Sequence, residues 1–155
     1  MNVVNAARAL LLVCVASSAA WAVSRTLGKR FALPLDFGLE LAHGKRLFGS
    51  HKTWRGLVGG VLAGALAAPL LGLGMALGAS FAALALIGDA LSSAIKRRLG
   101  VPPGVEVFGL DQLPEALLPL IVLARPLGIG VIEIAAVALA FTVLDLCVMP
   151  LRHRR

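Results

Sequence analysis

Charge is what this chain has least of. Its 155 residues carry 8 acidic groups against 15 Lys and Arg, and charged residues of either sign make up 15% of positions. Soluble globular domains average about a quarter, so an ordinary soluble domain is excluded. Cysteine is scarcer still: Cys14 and Cys147 lie in apolar runs near opposite ends of the chain. Their spacing supports neither a disulfide framework nor a metal site, and both read as packing residues. His43 and His51 lack metal-ligand spacing and read as loop residues. The glycine spacing of a Walker loop is missing as well. What fills the chain is apolar, 59% of residues, with a mean hydropathy of +0.90. That profile describes an all-α integral membrane protein forming a single polytopic domain.

Five spans are expected, at roughly 3–24, 57–79, 80–96, 113–129 and 131–149. The first could serve as a secretory signal, because Ala20-Trp21-Ala22 resembles a small-x-small cleavage site. The basic region that follows it opposes export, and a retained anchor is the reading adopted. Residues 113–123 are short for a crossing at about 1.5 Å per residue, so that span is expected to be completed through Pro126 to Ile129. The second is rich in Gly and Ala. Pro69 is expected to kink it, and Gly60-x-x-x-Gly64 is a close-packing motif that would also permit a homodimer. The segments 25–56 and 96–111 and the C-terminal tail hold 13 of the 15 Lys and Arg. With five spans all three fall on one side, which the positive-inside rule makes cytoplasmic, with the N-terminus outside. The expected location is the cell (inner) membrane. The net charge of +7 sits in short loops between apolar runs. This arrangement points to lipid headgroups and phosphates and argues against nucleic acid.

The stretch from Gly88 to Glu115 carries the chemistry. On a helix, Asp89, Ser92, Ser93 and Lys96 fall at i, i+3, i+4 and i+7, a polar strip ending an apolar segment. Gly100, Pro102 and Pro103 end that helix, and Asp111 stands just before the next apolar run, with Pro114 in its first turn. Lys96-Arg97-Arg98 also fits an ordinary cytoplasmic helix end. Asp89 is harder to dismiss, because a carboxylate inside an apolar helix is costly without a partner or cavity. Upstream, His51-Lys52-Thr53-Trp54-Arg55-Gly56 offers cations, a hydroxyl and free backbone N–H groups where a helix begins, the makings of an anion site. The simpler reading is a juxtamembrane basic loop. Glu133 and Asp145 in the last span read as structural partners of Arg8 or Arg125, the alternative being that they line the same cavity. The terminal arginines serve topology and anionic lipid.

Together these motifs resemble the CTP-dependent lipid cytidylyltransferases, and within them the shorter CDP-archaeol synthase branch. The resemblance runs over residues 34–115. It takes in Leu35-Asp36, Arg46-Leu47-Phe48-Gly49, Lys52-Thr53-Trp54-Arg55-Gly56 with Gly59-Gly60, Gly88-Asp89 through Gly100, Pro102-Pro103-Gly104 and Leu110-Asp111-Gln112.

The resemblance implies a reaction in which CTP and a membrane lipid phosphate give a CDP-lipid and pyrophosphate, at the cytoplasmic face. It implies Mg²⁺, with CTP as co-substrate. Asp89 and Asp111 would hold the metal, and Asp89, Asp111 and Lys96 would be catalytic. Lys52, Thr53, Arg55, Gly56, Ser93 and Arg97 would bind phosphates. The family pattern has a second aspartate three residues after the first, where this chain has Pro114 followed by Glu115. Glu115 is therefore a further candidate ligand. Ser50-His51 likewise replaces an acidic residue and glycine. Two other expectations compete: a CTP-dependent kinase of a polyprenol-type alcohol, and a non-catalytic lipid-binding or assembly protein on the same scaffold.

Overall fold

The computed structural model describes residues 2–28, 30–41, 45–49, 52–102, 105 and 107–153. Expectations that rest on His43, Ser50, His51, Pro103, Gly104, Arg154 and Arg155 lie outside the described residues. The helices are α1 (Val3–Thr26), α2 (Trp54–Leu70), α3 (Met75–Arg98), α4 (Gln112–Val122), α5 (Ala124–Leu127) and α6 (Val131–His153). Val3–Thr26, Met75–Arg98 and Val131–Val148 are long and apolar enough to cross a membrane. The α2 and α4 helices are shorter and equally greasy.

Two helix limits differ from the sequence expectation. The apolar run 57–79 does not form one helix. It breaks at residues 71–74 just after Pro69, with Gly72 at φ 71°, and α3 starts at Met75. Hydropathy cannot detect this turn because Leu71 and Leu73 are as apolar as the helices beside it. Likewise 113–129 is two helices, broken at Leu123 and ended by Gly128 in the left-handed region at φ 62°. Pro126 contributes, since it has no N–H to give to the Val122 carbonyl and so cannot continue the ladder across Leu123.

Tertiary contacts define the course of the chain. Arg55 at the start of α2 donates to the Ser24 and Gly28 carbonyls at the end of α1, at 3.1 and 2.8 Å. The α2–α3 turn at Gly72 lies against Arg8, back near the start of α1. Gly128, after α5, lies against Asn5, and the Asn2 amide donates to Glu133 Oε1 at the head of α6 (2.7 Å). The chain therefore runs back and forth along one bundle. The connections 27–53 and 99–111 gather at one end, beside the C-terminal half of α6.

Backbone proximity holds the bundle together. A Cβ on Gly64 would sit 2.9 Å from the Gly78 carbonyl oxygen of α3, and one on Gly60 2.9 Å from the Ala16 carbonyl oxygen of α1. The glycines of α2 therefore let two neighbouring helices approach, as the small-residue motif predicts. Away from the connections, Ala9, Leu12 and Val13 of α1, Phe81 and Ala85 of α3, Leu120 of α4 and Phe141 of α6 form the dry core.

The polar stretch 27–53 is folded onto the start of α2. It contains a two-residue antiparallel ladder, Glu40–Leu41 with Lys45–Arg46, a departure from an all-helical fold. Asp36 is buried and accepts from the amides of Gly38 (3.0 Å) and Phe48 (3.3 Å), pinning the loop. Residues 33–35 run alongside 52–54: the Leu35 amide donates to Lys52 O and the Trp54 amide to Leu33 O.

Candidate active site

Lys52 and Thr53 owe their position to that pairing. They are held extended against residues 33–35, immediately before α2. Thr53 is the N-cap residue, but its side chain makes no capping bond. Its Oγ1 is buried without a hydrogen-bond partner among the described residues. Such a hydroxyl is costly unless something else meets it.

A cavity of about 460 Å³ opens beside it. Leu35, Lys52, Thr53 and Gly56 form one wall, Asp89 and Lys96 of α3 a second, and Asp111 and Glu115 a third. Ser17, Trp21, Ser24 and Arg25 of α1 and Asp145 of α6 complete it. Two ion pairs cross the space. Lys52 pairs with Asp89, and Lys96 Nζ lies 2.6 Å from Asp111 Oδ1. Asp111 is fixed further, since Oδ2 accepts from the Val107 amide at 3.0 Å. Lys96 also donates to Val105 O at 3.2 Å. Residues 37 positions apart in the chain thus meet Asp111 and Glu115 in one pocket.

Gly88 explains how α4 reaches it. A Cβ at Gly88 would collide with the Pro114 carbonyl and lie 2.9 Å from Glu115 Cα. The first turn of α4 therefore rests directly on α3, one residue from Asp89. Glu115 then points into the cavity, where its carboxylate accepts a hydrogen bond from Ser17 of α1.

Several residues singled out from the sequence stand elsewhere. The strip expected on α3 is only partly presented to the cavity. Ser92 and Ser93 donate back to the Asp89 carbonyl at 2.8 and 3.1 Å, so Ser93 spends its hydroxyl on its own helix. Arg97 is buried and donates to Val101 O, closing the loop after α3. Arg55 donates to the carbonyls of Ser24, Gly28 and Arg30. Ser93, Arg97 and Arg55 are absent from the cavity wall, and their hydrogen bonds brace the elements that form it.

Other contributors were not anticipated. Ser17 and Ser24 lie in a segment that reads as a plain anchor, and Arg25 opens the basic stretch that follows it. The spacing of Ser17, Ala20, Trp21 and Ser24 marks one helix face, the only signal available. Asp145 takes the alternative that the sequence left open, lining the cavity. It accepts from Gln112 Nε2 at 3.1 Å, while Gln112 Oε1 accepts from the Gly109 amide at 3.0 Å. Glu133 is at the far end of the bundle, bonded to the Asn2 and Gly130 amides.

Among the described residues, no three His, Cys, Asp or Glu side chains form a ready-made metal cage. Asp89, Asp111 and Glu115 line one cavity without closing on a single point. That donor set suits a magnesium ion, which takes one or two carboxylates and completes its shell with water and substrate phosphates. It does not suit a fully protein-ligated metal.

A helical bundle of this apolarity, with carboxylates and lysines facing a cavity at one end, defines a membrane protein built to handle charged groups at the bilayer. Comparison with known proteins narrows the class. Residues 11–150 match the family described as CarS-like, CDP-archaeol synthase. CDP-archaeol synthase of Pyrococcus furiosus is 43% identical over 89 residues, covering 51% of this chain and 53% of that protein. The Thermofilum pendens protein of the same name is 40% identical over 117 residues, covering 70% and 57%. A solved structure described as an intramembrane enzyme for archaeal membrane lipid biosynthesis superposes with a TM-score of 0.73 at 32% identity. It covers 88% of this chain and 90% of that one. The chain thus spans little more than half the length of these two curated relatives. It belongs to the CarS-like CDP-archaeol synthase family.

Proposed function

We propose that this chain transfers a cytidylyl group from CTP to a membrane lipid phosphate, releasing pyrophosphate. Family membership supports the reaction, and the convergence of the Lys52–Asp89 and Lys96–Asp111 pairs on one cavity supports its location. A phosphate oxygen of the lipid attacks the α-phosphorus of CTP. The new bond joins that oxygen to phosphorus, and the bond from the α-phosphorus to the bridging oxygen of pyrophosphate breaks in line.

The protein's part is placement and charge. Lys52 and Lys96 neutralise the triphosphate and the charge building on the leaving pyrophosphate. The unpartnered Thr53 hydroxyl and the first turn of α2, including Gly56, offer donors to the same anion. Asp89 and Asp111 would hold Mg²⁺, and Glu115, steadied by Ser17, would supply the carboxylate that the family pattern carries at the position of Pro114. Magnesium held there would supply Lewis-acid polarisation of the phosphate oxygens and offset their charge. Arg55, Arg97 and Ser93 act by bracing the walls.

The proposal extends to the membrane arrangement. Five crossings, with α4 and α5 together making the fourth, put the cavity and the basic segments on the cytoplasmic side. One polytopic domain of the cell membrane is the corresponding architecture.

Product identity tests the reaction. Purified protein given CTP labelled in the cytosine ring and a lipid phosphate should yield a lipid-extractable cytidine product and pyrophosphate. Release of CDP with a phosphorylated lipid alcohol would establish a kinase in its place.

A further inference from the structure

The cations around the cavity are not equivalent. Lys52 and Lys96 are paired with aspartates, and Arg55 and Arg97 are bonded to backbone carbonyls. Arg25 lines the same cavity. Among the described residues it forms no hydrogen bond or ion pair, only a stack over the Trp21 ring at 5.2 Å. The contact holds the guanidinium over the ring without using its N–H donors, which suit a planar pair of oxygens.

Its place in the fold suggests whose oxygens those are. The core between α1 and α6 is made by Ala9, Leu12 and Val13 with Val137, Ala138 and Phe141. Beyond those residues the same two helices stop building core and begin to wall the cavity, through Ser17 to Arg25 on one and Asp145 on the other. Val143 and Leu144 of α6 and Trp21 of α1 are exposed there. Such exposed apolar side chains, with a tryptophan one turn before an arginine, are the pattern of a membrane interface. Lys52, Thr53 and Lys96, the anion site, come from other elements, α3 and the start of α2, and Gly56 of α2 adjoins Ser24 of α1.

We infer that Arg25, stacked on Trp21, is the binding residue for the phosphate of the lipid substrate, which reaches the cavity along the C-terminal half of α1. The nucleotide triphosphate takes the Lys52–Lys96 side. This assignment rests on the cytidylyl-transfer reading and divides its two substrates between two walls.

The test compares wild type, Arg25→Ala and Arg25→Lys in mixed micelles, with either a diacylglycerol phosphate or an isoprenoid glycerol phosphate as acceptor. Arg25→Ala should raise the KM for the lipid phosphate about tenfold or more, as expected for loss of a charge-assisted bond. The KM for CTP should stay unchanged, and Arg25→Lys should recover part of the loss. A second readout does not need turnover: a short-chain lipid phosphate should raise the melting temperature of wild type more than of Arg25→Ala. Water-soluble glycerol phosphate and uncharged diacylglycerol should do so for neither. If the lipid-specific stabilisation appears without turnover, the phosphate site stands and the cytidylyl-transfer reading fails. If wild type turns over and Arg25→Ala shifts the KM for CTP as much as that for lipid, or shifts neither, the inference is overturned.

Discussion

At the scale of single residues, each of two neighbouring cations has its own task. Lys52 faces the cavity and holds Asp89. Arg55 turns away and ties the start of α2 to the carbonyls ending α1. Arg55→Ala should therefore cost stability, on the order of 1.5–3 kcal/mol for bonds from a charged donor, read as a lower unfolding midpoint in detergent with the KM for CTP little changed. Lys52→Ala should do the reverse, leaving the midpoint near wild type and weakening CTP. Equal losses of CTP affinity in both would mean that Arg55 also meets the nucleotide. From the sequence these two were indistinguishable, because residue type and loop position do not say which way a side chain turns. Ser93 illustrates the same limit: helical spacing gives its face correctly, yet its hydroxyl bonds back to Asp89 O at 3.1 Å. Asp89, Lys96 and Asp111 were legible because a charge in an apolar setting demands a partner, and each has found one.

Among the elements, the contact between α3 and α4 matters most. Gly88 lets the first turn of α4 lie on α3, bringing Glu115 next to Asp89. Gly88→Ala should strain that contact by about 1–3 kcal/mol and displace Glu115, so turnover should fall with thermal stability. Gly74→Ala is the control, since a Cβ there meets nothing within 4 Å. If Gly88→Ala matched Gly74→Ala in both readouts, the close approach would not be what sets the site. Helix existence was readable from apolar runs, whereas helix limits were not. The break at residues 71–74 is as hydrophobic as its surroundings, and the break at Leu123 precedes Pro126, which leaves the Val122 carbonyl without its ladder donor. The ladder at 40–46 left no trace in hydropathy, because two residues per strand are too few to show alternation.

For the whole molecule, the proposed orientation, with five crossings and the cavity on the cytoplasmic side, is open to direct labelling. Variants with single cysteines in a Cys14→Ser, Cys147→Ser background test it. Arg30→Cys should react with an impermeant thiol reagent only from the cytoplasmic side, and Gly74→Cys only from outside. Labelling of both from one side would break the five-crossing arrangement. The class of molecule was legible from composition, and the site's general place from two motifs about 35 residues apart. The wall contributed by α1 was not, since nothing in a chain of small and apolar residues says which face a cavity will adjoin.

The most direct measurement of the central claim is the rate of pyrophosphate release from CTP and a lipid phosphate, with magnesium or with chelator, in wild type, Asp89→Asn and Asp111→Asn. The account predicts metal-dependent release in wild type and a fall of about a hundredfold or more in each variant, with the melting temperature of the variants close to wild type. Release that persists in chelator, or that survives both substitutions in folded protein, would contradict it.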